Sequence, residues 1–365
     1  MSGAACTATS TPVLTPKTSP VTGSEPPCTS HPDYAHSEPV VNRTTKRQLM
    51  KAIKHLLGGA LLALAVLAQP TSAAEPSTLR IGYQKSSVSM VLAREHKLFE
   101  AALPGTQVQW TEFLGGPPLI EALNAGSLDI GNIGDIPPIF AQAAGIDLQY
   151  FAVEPNEGKA EAVLVPKAST VQNVAELKGK RVALLKGSSA HNLFLKSLLR
   201  AGLQWKDVNV VYLSPSDGRA AFEQGKVDAW VVWDPYYSAA VIDGSARVLG
   251  DGQGLNPAGS FFVVNHPFAK QHPEAIATII QTLGKAQRLS LDQPDASIAL
   301  MAGTLGLQPA VVKSYFEHRS PEPIRPLEAI DIANQQRTAD LFFANGLIPK
   351  KVDVQQVVFK PLDLP

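Results

Sequence analysis

The residues best suited to chemistry in this chain stand where apolar strands give way to small, hydrogen-bonding residues. Gln84, Lys85 and Ser86 follow the strand-like Leu79–Tyr83, Gly115 and Gly116 precede Pro117, and Ser188 and Ser189 follow Lys186-Gly187. Asp135, after Gly134, and Asp234, after Trp233, each stand just ahead of a proline. A helix starting at such a point leaves its first backbone N–H groups without partners and carries partial positive charge. Phosphate, sulfate and sulfonate groups settle there. The chemistry on offer is therefore anion capture by neutral donors, with Lys85 or Lys186 able to add a cation. Serine and glycine at these points serve equally well as N-caps. Their recurrence at matching places in two halves of the chain favours a shared site.

The aspartates fit the N-cap with a proline in the first turn. Capping is the role their spacing favours, because a bare carboxylate repels a bound anion. The sharper alternative is a contact with an amino or hydroxyl group of a ligand. His191 and Asn192 begin the helix after Ser189 and can reach the same point, although a histidine there can equally belong to the core. Trp233 ends its strand and offers an apolar wall for a ligand tail, whereas strand alternation sends Trp230 to the opposite face. Enzyme signals are weak: the sequence holds no GxSxG elbow, no HExxH and no P-loop lysine motif. No His, Cys or Asp spacing reads as a metal site, so neither metal nor cofactor is expected. The formal net charge is +0 and charged residues make up 18%, which argues against the basic face a nucleic-acid binder needs.

The elements that must hold these residues repeat. RIGYQKSS (80–87) and RVALLKGS (181–188) share one strand–turn pattern, and GSLDIGNIGD (126–135) matches GKVDAWVVWD (225–234). The period is too long for a solenoid unit and indicates two α/β lobes built alike. Strands are expected at Leu79–Tyr83, Val108–Phe113, Leu128–Ile133 and Asp147–Val153, alternating with helices at Val88–Glu100, Leu119–Ala125 and Pro137–Ala144. The second half repeats this with strands at Arg181–Leu185, Val208–Leu213 and Val227–Trp233 and helices at His191–Ala201, Arg219–Gln224 and Tyr236–Asp243. Such alternation signals βαβ units and a largely parallel sheet. Ala162–Val165 reads as a crossover strand, Ser260–Val264 as a return strand, and the chain beyond Pro273 as helices packing back on the first lobe. The expected organisation is lobe one from 75–164 and 257–365, with lobe two, 165–256, inserted between two crossover linkers. Ligands bind such sheets at the carboxyl ends of their strands, here in the cleft between lobes.

Residues 1–49 are rich in Ser, Thr and Pro and read as an unstructured upstream extension. Residues 50–74 read as a secretory signal peptide: Lys51 and Lys54, the apolar run Leu56–Ala68, then small residues at 71–74. Met50 is the favoured start. Both cysteines, Cys6 and Cys28, precede it, so no disulfide, thiolate or lipid-anchoring cysteine is expected in the exported product.

Four stretches, RIGYQKSSVSMVLA, EFLGGPPLIEALNAGSLDIGNIGDIPPIFAQAAG, KGSSAHNLFLKSLL and VDAWVVWDPYYSAA, resemble the periplasmic aliphatic sulfonate-binding proteins of ABC importers. The resemblance runs from about Leu79 to Asp353 and is most specific in GDIPPIFAQAAG and WDPYYSAA. It implies a type II periplasmic-binding fold that closes on a ligand in the interlobe cleft. It implies a small-molecule alkanesulfonate as that ligand, with its tail along walls such as Trp233 and Phe113. Permease and ATPase subunits at the inner membrane are the implied partners of a monomeric periplasmic protein serving sulfur acquisition. The wider family includes taurine-, nitrate- and thiamine-precursor-binding proteins, which remain alternatives. Taurine binders lack aspartates at the positions of Asp135 and Asp234, so the alkanesulfonate group is the nearer likeness. An enzyme on the same scaffold, or a binding protein serving a signalling receptor, are readings from other classes. The cysteine-rich motif of a thiamine-pyrimidine synthase is missing.

Overall fold

Each half of the chain places a short apolar strand, a helix and a second strand in register, and the computed structural model, which describes residues 75–255 and 259–360, builds two five-stranded sheets from them. The first half contributes β1 (Thr78–Tyr83), α1 (Val88–Glu95), α2 (Leu98–Ala102), β2 (Gln107–Glu112), α3 (Gly116–Asn124), β3 (Ile130–Ile133), α4 (Ile136–Ala144) and β4 (Leu148–Glu154). The second contributes β5 (Glu161–Pro166), β6 (Arg181–Leu184), α5 (Ser189–Arg200), β7 (Asn209–Tyr212), α6 (Pro215–Glu223), β8 (Ala229–Trp233), α7 (Tyr236–Ile242) and β9 (Ala246–Asp251). Then follow β10 (Ser260–Asn265), α8 (His266–Gln271), α9 (Pro273–Asp292), α10 (Pro294–Leu305), α11 (Pro309–Glu317) and α12 (Ala329–Ala344).

The sheets run β2-β1-β3-β10-β4 and β7-β6-β8-β5-β9. They share one plan: three parallel strands, then an antiparallel strand delivered from the other lobe, then the last strand. The sequence repeat has an atomic counterpart. Asp129 accepts the Arg80 backbone N–H at 2.8 Å, and Asp228 accepts that of Arg181 at 2.7 Å. Each arginine also reaches back to the carbonyl of the left-handed glycine, Gly126 or Gly225. The GSLD and GKVD motifs thus tie β1 to the start of β3 and β6 to the start of β8.

Three expectations need correction. Glu161–Pro166 pairs with β8 and β9, so residues 161–164 belong to the second sheet and the forward crossing is made by 155–160. The return boundary at 256/257 falls on residues outside the description, as do the upstream extension, the signal peptide and the last five residues. The helix expected over Val88–Glu100 is two helices, because Lys97 takes a left-handed φ of 52°. The sheets are mixed rather than largely parallel, and β9 went unread.

The core follows the strand alternation. Leu79, Ile81 and Tyr83 of β1 pack with α1, and α9 lies over that layer through Ile276, Ile279 and Leu283. α11 additionally packs on α7 of the second lobe, and α4 packs on α5. These contacts hold the lobes together. Among the described residues no helix is long and apolar enough to cross a membrane.

Candidate functional site

The strand ends of the two lobes face each other across a cavity of ≈ 90 Å³. Gln84, Ser86, Asn132 and Gly134 line it from the first lobe, and Glu161, Ser188, Ser189 and Asp234 from the second. Gly116 also reaches it, and Tyr315, His318 and Arg319 close the remaining side. The helix starts there keep their N–H groups available. Ser87, Gly115 and Ser188 are the N-caps of α1, α3 and α5, and none makes a side-chain cap bond. Ser188 Oγ instead donates to the Leu185 carbonyl at 2.7 Å. α3 is the poorest donor of the three, because Pro117 and Pro118 carry no N–H. Gly116 allows close approach: a Cβ there would lie 2.4 Å from Pro137 Cγ.

Asn132, only 3% exposed, has a buried Nδ2 with no acceptor among the described residues. An unmet buried donor costs about 1–3 kcal/mol, which a ligand oxygen would offset. Gln84 Nε2 donates to the Asn132 carbonyl at 2.9 Å and fixes this edge of β3. A second space of ≈ 340 Å³ shares Gln84, Ser86 and Trp233 with the first. Phe113, Leu114, Tyr236, Leu305 and Leu307 make it mainly apolar. Lys85 stands at its rim, half exposed and 3.3 Å from Glu112. Trp233 lines both spaces, whereas Trp230 is buried in the second lobe's core.

The matched aspartates do different things. Asp234 Oδ1 accepts the Ser238 N–H at 2.9 Å, capping α7, while Oδ2 lies 2.7 Å from His318 Nδ1. Asp135 makes no cap bond, because its own backbone is already helical (φ −70°, ψ −30°) rather than in the extended region an N-cap needs. Its Oδ2 accepts from Asn192 Nδ2 at 2.5 Å, across the lobes. Both carboxylates therefore bind the opposite lobe: α5 for Asp135, the end of α11 for Asp234. Asp135→Ala removes a charged acceptor from the buried Asn192 and is expected to cost about 1–3 kcal/mol. Urea unfolding measures the cost, and an unchanged midpoint would show that the cross-lobe bond contributes nothing.

His191 and Asn192 do not line the cavity. His191 is a core histidine, its ring 4.6 Å from that of Trp205 and 5.1 Å from that of Phe342. Its Nδ1 accepts the Gly187 N–H at 3.2 Å, and burial, then the charge of Lys186, lower its pKa to about 3. Lys186 lies over the Tyr212 ring at 5.6 Å. Gly115 sits at the lobe contact, where a Cβ would be 2.8 Å from Leu185 Cδ2. Sequence reasoning missed Asn132, Glu154, Glu161, Tyr315, His318 and Arg319. Asn132 carried a signal, a lone amide in an otherwise apolar β3; the last three follow or end a C-terminal helix with no local cue.

The family described as NMT1-like matches residues 72–306. The chain belongs to the NMT1-like family. Within it, the chain is 50% identical to the alkanesulfonate-binding protein SsuA from Xanthomonas axonopodis pv. citri, solved bound to MOPS; the match covers 78% of this chain and 99% of that one, with a TM-score of 0.77. It is 51% identical to the periplasmic aliphatic sulphonate binding protein SsuA from Escherichia coli, over 80% of this chain and 94% of that one, TM-score 0.74. The taurine-binding periplasmic protein of Escherichia coli (strain K12) is 31% identical over 236 residues, 64% of this chain and 72% of the relative. The resemblance read from the four motifs is borne out at the level of the family, as is the two-lobe α/β fold of periplasmic binding proteins. Identity to the two sulfonate binders, 50% and 51%, exceeds the 31% to the taurine-binding protein.

Proposed function

We propose that the chain is a periplasmic solute-binding protein that captures aliphatic sulfonates between its lobes and delivers them to the permease and ATPase of an ABC importer. The observation that carries this reading is the pairing of two spaces: one small and rich in neutral donors, one larger and apolar, joined at Gln84, Ser86 and Trp233. A sulfonate is a permanent monoanion without a proton at any ordinary pH, so it must be held by groups that donate, N–H and O–H. Asn132 Nδ2 and the uncapped starts of α1 and α5 are such donors. The alkyl tail then lies against Phe113, Trp233 and Tyr236. The signal-peptide pattern at 50–74 and the half identity to SsuA along most of its length support export and a binding role rather than turnover. The protein acts as a monomer in this reading.

Calorimetric titration of the purified protein against ethane- to decanesulfonate, taurine, sulfate and nitrate tests it. Affinity is expected to rise by about 0.8 kcal/mol per buried CH₂ until the tail outgrows the apolar space. Sulfate and nitrate, which have no tail, should bind at least about a hundredfold more weakly, a gap of about 2.7 kcal/mol. Absence of binding by every sulfonate, or tight sulfate binding, rejects the proposal.

A further inference from the structure

Glu161 begins β5, where the chain enters the second lobe, and lines the cavity beside Gly134, Ser188 and Ser189 although the residue is only 7% exposed. Ser189 is hydrogen-bonded to its carboxyl. The charged and titratable groups around it come from every neighbouring element. Asp135 precedes α4, Lys196 lies on α5, and Asp234 ends β8. Glu154, Tyr315, His318 and Arg319 form the wall that closes the cavity.

Two of these carboxylates have their own partners: Glu154 has Arg319 at 2.8 Å and Asp234 has the His318 ring at 2.7 Å. Lys196 is attracted to both Asp135 and Glu161, while Asp135 and Asp234 both act on Glu161 as negative charges. At Glu161 two negative neighbours stand against one lysine, and a bound sulfonate adds a further negative charge. Buried carboxylates that feel each other's charge favour keeping a proton between them. Burial, and next the charge of Asp135, push Glu161 up to about 8, and of the two carboxyls Glu161 is the one that lines the cavity.

We infer that Glu161 is a specificity-determining residue of the cavity: as the neutral acid it donates a hydrogen bond to a sulfonate oxygen, and its ionised form rejects the ligand. The inference rests on the sulfonate reading of the site. Its consequence is a pH-dependent affinity for a ligand that does not itself titrate. The bound anion raises the carboxyl pKa above that of the unliganded protein. Affinity is therefore full below the unliganded value and lost as pH rises through and beyond it.

The test is calorimetric titration of the purified protein with hexanesulfonate from pH 6 to pH 9.5. The dissociation constant is expected to rise by about tenfold from pH 6 to pH 9, with a slope approaching tenfold per pH unit above that. Binding should take up about half a proton near pH 8 and close to one near pH 9, read from its heat in buffers of different ionisation enthalpy. Glu161→Gln, which keeps a donor but cannot ionise, should abolish both the slope and the proton uptake. A slope that survives in Glu161→Gln but disappears in His318→Gln assigns the proton to the Asp234–His318 pair and overturns the inference. A wild-type affinity that is tight and flat from pH 6 to pH 9.5 also overturns it while leaving the sulfonate reading intact. No binding even at pH 6 removes both.

Discussion

Arg319→Ala is expected to lose about 3–5 kcal/mol of stability and at least about tenfold in sulfonate affinity, the equivalent of 1.4 kcal/mol. The guanidinium and the Glu154 carboxylate are 10% and 14% exposed, with Nη2 2.8 Å from Oε1. Glu154 also accepts from Ser89 on α1 at 3.1 Å, and Arg319 Nη1 donates to Ser290 on α9 at 2.9 Å. The pair thus fastens β4, α1, α9 and the segment after α11 around one wall of the cavity. Truncating the arginine strands a carboxylate in a nearly dry place, and breaking one side of a buried pair costs far more than the intact pair contributes. The stranded charge also faces the bound anion. The double substitution Glu154→Gln with Arg319→Met should recover much of the stability, because no uncompensated charge remains. Chemical unfolding and calorimetry on the three variants separate the effects. A cost under about 1 kcal/mol for Arg319→Ala, the range of exposed pairs, would mean that water reaches the pair.

The repeat was legible because it is local. Gly126 and Gly225 take left-handed turns, Asp129 and Asp228 lie three residues on, and the carboxylates tie back to β1 and β6. Short-range patterning also placed Ser188, Ser189, Gly116 and Trp233 at the cavity wall. What it could not supply is pairing across the chain. Glu154 and Arg319 are 165 residues apart, and Asp234 and His318 are 84 apart. Nothing near Arg319 in sequence marks it as the partner of a strand-end glutamate. Glu161 looked like an ordinary strand residue because its significance comes from Asp135 and Lys196, which arrive on other elements. The reading of Asp135 as a cap failed for a related reason: a proline two residues later identifies the start of a helix. It does not fix whether the preceding backbone is extended or already helical.

Lowering the pH from 6.5 to 4 is expected to remove about 3 kcal/mol of stability through His191 alone. The ring is 1% exposed and packed among Trp205, Phe140 and Phe342. Nδ1 accepts the Gly187 N–H, so the ring's proton resides on Nε2, which has no partner among the described residues. Protonating Nδ1 would destroy that acceptor and place a charge in an aromatic pocket close to Lys186, and these causes lower the group's pKa from 6.5 to about 3. A lowered histidine pKa gives stability that is complete above the unfolded value, near 6.5, and is lost as pH falls toward the folded value. The unfolded chain binds the proton over that interval while the folded chain does not. His191→Phe should start less stable at pH 7, having lost the Gly187 acceptor, yet change less between pH 6.5 and pH 4. Melting curves across that range decide it: equal slopes in the two proteins would mean that His191 is already charged or solvated when folded. Gly187 leads directly into Ser188 and Ser189 at the cavity, so the neutral ring also holds the turn that aims the start of α5. Because the folded protein keeps the neutral ring, and with it the Gly187 acceptor, down to about pH 3, sulfonate affinity of the folded protein should not change between pH 6.5 and pH 4 through His191. Glu161 thus limits capture on the alkaline side through the ligand's affinity, whereas His191 limits it on the acid side only through the stability of the fold.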